Sequence, residues 1–146
     1  MALWRLYYHL VWSTKDRLPL IGSDKEAKLY PYIIGKINSL NCIFHAIGGI
    51  EDHIHLIVSI PPKLSIADFV KEIKGSSAHY LNQTFGDSPK FVWQQGYGVF
   101  SLGSKQLDQA VAYVQNQKQH HQEKTAIASL ETIINHDDPP PRYHSK

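Results

Sequence analysis

The chain has 146 residues, 42% hydrophobic and 19% charged, enough for one domain with a sizeable core and too apolar for wholesale disorder. No apolar run approaches the ~18 residues of a membrane span, the N-terminus lacks the apolar block and cleavage site of a signal peptide, and the single cysteine, Cys42, excludes a disulfide framework and a multi-cysteine zinc site, so a cytoplasmic setting is expected. Lys and Arg number 15 against 13 Asp and Glu, and the net charge of +2 permits nucleic-acid binding without announcing it, while 9 His and 8 Tyr supply possible metal ligands and nucleophiles.

Leu3 to Thr14 reads as a strand, with Trp4, Leu6, Tyr8, Leu10 and Trp12 alternating on one face. Lys15 to Ser23, with Pro19 and Gly22, reads as a loop. Asp24 to Leu40 reads as a helix with Leu29, Ile33 and Ile37 at helical spacing, weakened early by Pro31. Cys42 to Gly48 and His53 to Ile60 read as a hairpin around Gly48, Gly49, Glu51 and Asp52. Ser65, three residues before Asp68, is an N-cap signal for a helix running to about Thr84, with Ile66, Phe69, Val70, Ile73, Tyr80 and Leu81 inward. Phe85 to Lys90 is a loop, and Phe91 to Leu102 an aromatic-rich strand with Gly96 and Gly98 inside. Lys105 to about Glu123 reads as a helix, which Ala126 to Ile134 extends or follows with a short one. The expected domain is 1–134 with a tail over 135–146. The order predicts an α+β fold: a ferredoxin-like (RRM-like) βαββαβ antiparallel sheet with a helix added at the C-terminus.

Two local patterns carry chemistry. His53-Ile54-His55 on a strand puts both imidazoles on one face, beside Ile57 and Ser59, opposite the apolar row Ile54, Leu56, Val58 and Ile60. Two histidines so placed can converge on one metal ion, though the same pattern also arises as two ordinary polar residues on a sheet face. On the last helix, Leu107, Ala110, Val111 and Val114 form an apolar stripe, and Tyr113, Gln117 and His120 form a row on the order of 100° away from it. An exposed tyrosine needs no function, so this row alone leaves its role open.

Together these residues resemble the single-tyrosine HUH transposases of small bacterial insertion sequences and their REP-associated relatives. His53-Ile54-His55 matches the His-hydrophobic-His motif, and Tyr113, Asn116 and Gln117 match a Tyr-x-x-Asn-Gln pattern, followed by His120-His121. The likeness continues in Tyr8-His9-Leu10-Val11-Trp12-Ser13-Thr14-Lys15, in Lys74-Gly75-Ser76-Ser77 and in Trp93-Gln94-Gln95-Gly96-Tyr97, covering residues from about 5 to 123 in order. The resemblance implies a metal-dependent transposase or strand transferase of bacterial or archaeal cytoplasm. It implies a divalent metal, Mg²⁺ or Mn²⁺, held by His53 and His55 with Gln117 as third ligand. Tyr113 would be the nucleophile, forming a 5′-phosphotyrosine on single-stranded DNA with a hairpin. It also implies a homodimer with active sites shared between subunits. The alternative is a domesticated DNA-binding protein of the same fold without mobility. Lys15, Arg17, Lys71 and Lys74 are candidate phosphate contacts or a solvated face. Trp93, Tyr97 and Phe100 either stack on unpaired bases or pack in the core. Cys42 reads as buried structure.

Overall fold

The computed structural model describes residues 2–86, 88–123 and 137–142. Strand β1 (Tyr7–Ser13) lies between β3 (His53–Ser59) and β4 (Gly98–Leu102), and β2 (Ile43–Ile50) forms the edge beside β3. The order is β2-β3-β1-β4, and every neighbouring pair is antiparallel. Helix α1 (Ser23–Ser39) joins β1 to β2, and α2 (Ile66–Phe85) joins β3 to β4. Helices α3 (Leu107–Gln115) and α4 (Gln117–Glu123) follow. This is the interleaved sheet that the element order predicts, with the added helix in two pieces. Among the described residues no helix is long and apolar enough to cross a membrane.

Alternation along the strands assigns the two layers. Leu10 and Trp12 of β1 and Ile54, Leu56 and Val58 of β3 meet Leu29, Ile33 and Ile37 of α1 and Phe69, Val70, Ile73 and Leu81 of α2 in one buried cluster. On the other face Ala46, Ile57 and Val114 form a second cluster, flanked by Leu102, Leu107, Ala110 and Val111. Both helix stripes expected from periodicity are therefore the buried ones. Strand β3 is buried along its whole length, because helices cover both faces. Ser65 caps α2, its Oγ accepting from the Asp68 N–H at 3.0 Å. Pro31 leaves α1 continuous. It and Ala27, whose carbonyl loses its helical donor, are both exposed, so water can serve that carbonyl.

Four boundaries differ from expectation. β1 begins at Tyr7, since residues 2–6 make no ladder. β2 continues to Ile50 through Gly48 and Gly49, so the turn is only Glu51 and Asp52. The expected strand from Phe91 is a strand only from Gly98. Before that, tertiary anchors replace the ladder. Asn82 exchanges two hydrogen bonds with the Phe91 backbone, Trp93 Nε1 donates to Ser77 Oγ at 3.0 Å, and Gly96 turns the chain at φ 94°. The helix expected from Lys105 to Glu123 breaks at Asn116, whose φ of −104° and ψ of 24° end α3. The segment Ala126–Ile134 and the boundary at 134 lie outside the described residues.

Candidate active site

His53 and His55 leave β3 on the α3–α4 side, with ring centroids 5.1 Å apart and neither exposed. Asp52, in the turn, lies with Oδ1 2.7 Å from His53 Nδ1. A carboxylate only accepts, so Nδ1 carries the proton and the neutral ring presents a lone pair at Nε2. That hydrogen bond holds the Asp52 carboxyl below its ordinary range, partly offset by burial and reinforced by the Arg17 guanidinium. His53 Nε2 lies 3.3 Å from Gln117 Oε1. With the amide oriented this way, two lone-pair atoms face each other. Gln117 is 1% exposed, and its Nε2 is buried with no hydrogen-bond partner among the described residues.

Two imidazoles and an amide oxygen suit a divalent transition metal or Mn²⁺ by donor type. Opposed acceptors with an unsatisfied amide are what a cation between them would resolve. Among the described residues no group of three or more His, Cys, Asp or Glu is arranged to hold a metal ion, and Gln117 Oε1, 3.3 Å from His53 Nε2, adds an amide oxygen beside the pair. The residues therefore fit a metal.

Tyr113 lies before the break at Asn116 and Gln117 after it. The break separates what a straight helix would keep in one row. Gln117 turns to the sheet, while the Tyr113 ring stays half-buried, 5.9 Å from His55 and 4.7 Å from His120. Tyr113 and His120 border a cleft of about 580 Å³ between α3 and β4, with Phe100, Gln109 and Asn116 among its walls. The tyrosine thus stands against the histidine pair of its own chain.

The candidate phosphate contacts occupy different settings. Lys15 and Lys71 are exposed. Arg17 is near the site, its Nε 3.6 Å from Asp52 Oδ2. It and Asp16 adopt left-handed backbone, φ 54° and 55°, in a turn held by Gln94 Oε1 accepting from the Asp16 N–H. Lys74 donates to the carbonyls of Gln94 (2.6 Å) and Gly96 (2.9 Å), fixing the segment before β4, and burial lowers its pKa. Trp93 is core, packed edge-on against Trp12 and Phe91, whereas Tyr97 is exposed and Phe100 faces the cleft. Cys42 is buried, and its thiol is pushed up to about 11 by desolvation.

Two histidines that lie within matched motifs but were given no role in the site belong to this cluster. His9 Nε2 is 2.7 Å from His55 Nδ1, and the His121 ring is 5.1 Å from that of His53. His9 sits in the polar alternation of β1, a signal that needs the strand register before it points anywhere.

Comparisons with known proteins converge on one family. The family model described as transposase IS200-like matches residues 2–117. The transposase of insertion sequence IS200 from Salmonella typhimurium is 32% identical over 111 residues, covering 68% of this chain and 69% of its own. The ISDra2 transposase TnpA of Deinococcus radiodurans is 26% identical over 122 residues, 79% of this chain and 86% of its own. Among solved structures, a putative transposase from Deinococcus radiodurans superposes with TM-score 0.66 at 26% identity, covering 80% of this chain and 93% of its own. A REP-associated tyrosine transposase bound to a REP hairpin has the same fold, with TM-score 0.63 at 17% identity over 83% of this chain and 74% of its own.

Proposed function

The chain belongs to the IS200-like transposase family, and we propose that it cuts and rejoins single-stranded, hairpin-bearing DNA, with Tyr113 as nucleophile and Mg²⁺ or Mn²⁺ at His53, His55 and Gln117. One observation carries the reading. A helical tyrosine, a strand His-x-His pair and a buried amide, drawn from three elements, come together on one face of the sheet, Tyr113 beside His55 and Gln117 beside His53.

Tyr113 Oη would attack the phosphorus, and the Oη–P bond forms as the P–O3′ bond breaks. The 5′-phosphate stays on the tyrosine, and the 3′ oxygen leaves as a hydroxyl. A phenol titrates near ~10, so it must shed its proton as it attacks. His120, with its ring 4.7 Å away, is the nearest imidazole by ring separation to receive that proton and return it to the departing oxygen. A bound divalent ion would offset charge on the phosphate oxygens and orient the phosphorus. The phosphotyrosine keeps the energy of the phosphodiester, so a later 3′ hydroxyl can reverse the attack and reseal a strand without ATP. Arg17, beside Asp52 at the rim of the site, is suited to steady a neighbouring phosphate.

The test is incubation with single-stranded oligonucleotides carrying candidate element ends and their hairpins, then denaturing gels. Wild type should give a protein–DNA adduct. Tyr113→Phe, which keeps the ring and helix, should give none while binding DNA close to wild-type affinity. An adduct with the Phe variant would remove Tyr113 from the role and turn attention to Tyr97 or Tyr80. Hairpin binding without any adduct from wild type would favour a domesticated DNA-binding protein.

A further inference from the structure

We propose that His9 is a positioning residue: it accepts the Nδ1 proton of His55 and so keeps the Nε2 lone pair of His55 turned to the metal. The inference rests on the metal reading of His53 and His55 given above. Across the β1–β3 ladder His9 pairs with Ile57 and His55 pairs with Val11, so the two histidines are diagonal neighbours on one sheet face. Diagonal positions are ~7–8 Å apart at the backbone, within reach of two long side chains. Here His9 Nε2 and His55 Nδ1 are 2.7 Å apart, with the residues 3% and 0% exposed.

Between two neutral imidazoles at that separation, one proton belongs to one of the two nitrogens. If His9 holds it, neutral His55 must carry its own proton on Nε2 and cannot ligate there. If His55 holds it on Nδ1, Nε2 offers a lone pair. His53 indicates which arrangement the site is built for, since its Nδ1 faces an acceptor-only carboxylate while its Nε2 faces Gln117. His9 does for His55 what Asp52 does for His53, without adding a charge. Metal-bound histidines ordinarily need such a partner to fix tautomer and ring plane. A neutral partner would add no negative charge to an ion bound there. The His9 ring is itself held 6.1 Å from Phe100 and 6.3 Å from Tyr113.

The full-length wild type, His9→Phe and His9→Gln decide it, by two readouts. Long-range ¹⁵N–¹H spectra of the metal-free protein report the His55 tautomer, and paramagnetic resonance of unbound Mn²⁺ reports affinity for that ion alone. Wild-type His55 should be protonated on Nδ1. His9→Phe, which keeps a ring but removes the acceptor, should move that proton to Nε2 and weaken Mn²⁺ binding by about tenfold or more. His9→Gln, whose amide oxygen can accept, should restore both. A wild-type His55 protonated on Nε2 overturns the proposal, as does a folded Phe variant that binds Mn²⁺ like wild type, or a Gln variant no better than Phe. Should the Phe variant not fold, the wild-type tautomer and the Gln variant decide. If His55→Ala still binds Mn²⁺ as wild type does, the metal reading itself fails, and this inference with it.

Discussion

Gln117 sits one turn beyond Tyr113, yet it is 1% exposed while Tyr113 borders an open cleft. The three proposed metal donors differ in what their loss leaves behind. Removing an imidazole takes away a strong nitrogen donor and leaves its partner, Asp52 or His9, without its bond. Removing the amide leaves space for water, which is also a neutral oxygen donor. Cleavage should therefore stop with a chelator and return with Mn²⁺ or Mg²⁺. In single-turnover assays, His53→Ala and His55→Ala should each fall roughly a thousandfold, and Gln117→Ala about tenfold. Equal losses in all three would mean that Gln117 does more than ligate. The histidine pair was legible in the sequence because a strand has period two and both residues lie on it. The destination of Gln117 was not derivable from helical faces, because that reading assumes the helix continues through Asn116. His9 was not legible, because its partner is 46 positions away and only the register brings them together.

Helix α3 reaches the sheet by backbone contact as well as by its apolar stripe. A Cβ on Gly48 would lie 2.0 Å from the Val114 carbonyl oxygen, so strand and helix main chains touch there with no side chain between them. Gly48→Val should lift α3 from its seat. Amide exchange over 107–115 should accelerate, with a stability loss of about 1–3 kcal/mol. Exchange in α1 and α2 should accelerate by no more than the global stability loss, and less than in α3, since their core lies across the sheet. Wild-type protection of α3 in this variant would show that the helix can adjust to a side chain at 48. Element existence and order were readable from periodicity and capping, as Ser65 and the Leu29–Ile33–Ile37 stripe illustrate. The strand expected at Phe91 failed for a different reason. Alternating aromatics there imitate a half-buried strand, but Lys74, Ser77 and Asn82 of α2 hold the segment by hydrogen bonds no local pattern encodes.

At the scale of the molecule, a chain of 146 residues with net charge +2 offers little surface for two DNA ends, and a symmetric pair would hold both. The proposed dimer with shared sites predicts complementation. His53→Ala and Tyr113→Phe proteins, each inactive alone, should recover partial cleavage when their subunits exchange, because some sites would combine an intact pair with an intact tyrosine. Exchange without recovery would assign the tyrosine to its own chain, the arrangement described above. A monomer at working concentration in light scattering would remove the dimer. In either assembly the burial of His53, His55 and Gln117 has a kinetic meaning. For the proposed reaction α3 and α4 would act as a lid over these residues, having to part before a phosphate reaches them, and such an opening step can set the pace. The ion pair from Lys118 on α4 to Glu26 on α1 ties these two helices together and would hold such a lid closed. Glu26→Gln should cost less than about 1 kcal/mol of stability, yet raise the single-turnover cleavage rate severalfold; an unchanged rate would mean that the lid opens faster than the strand is cut.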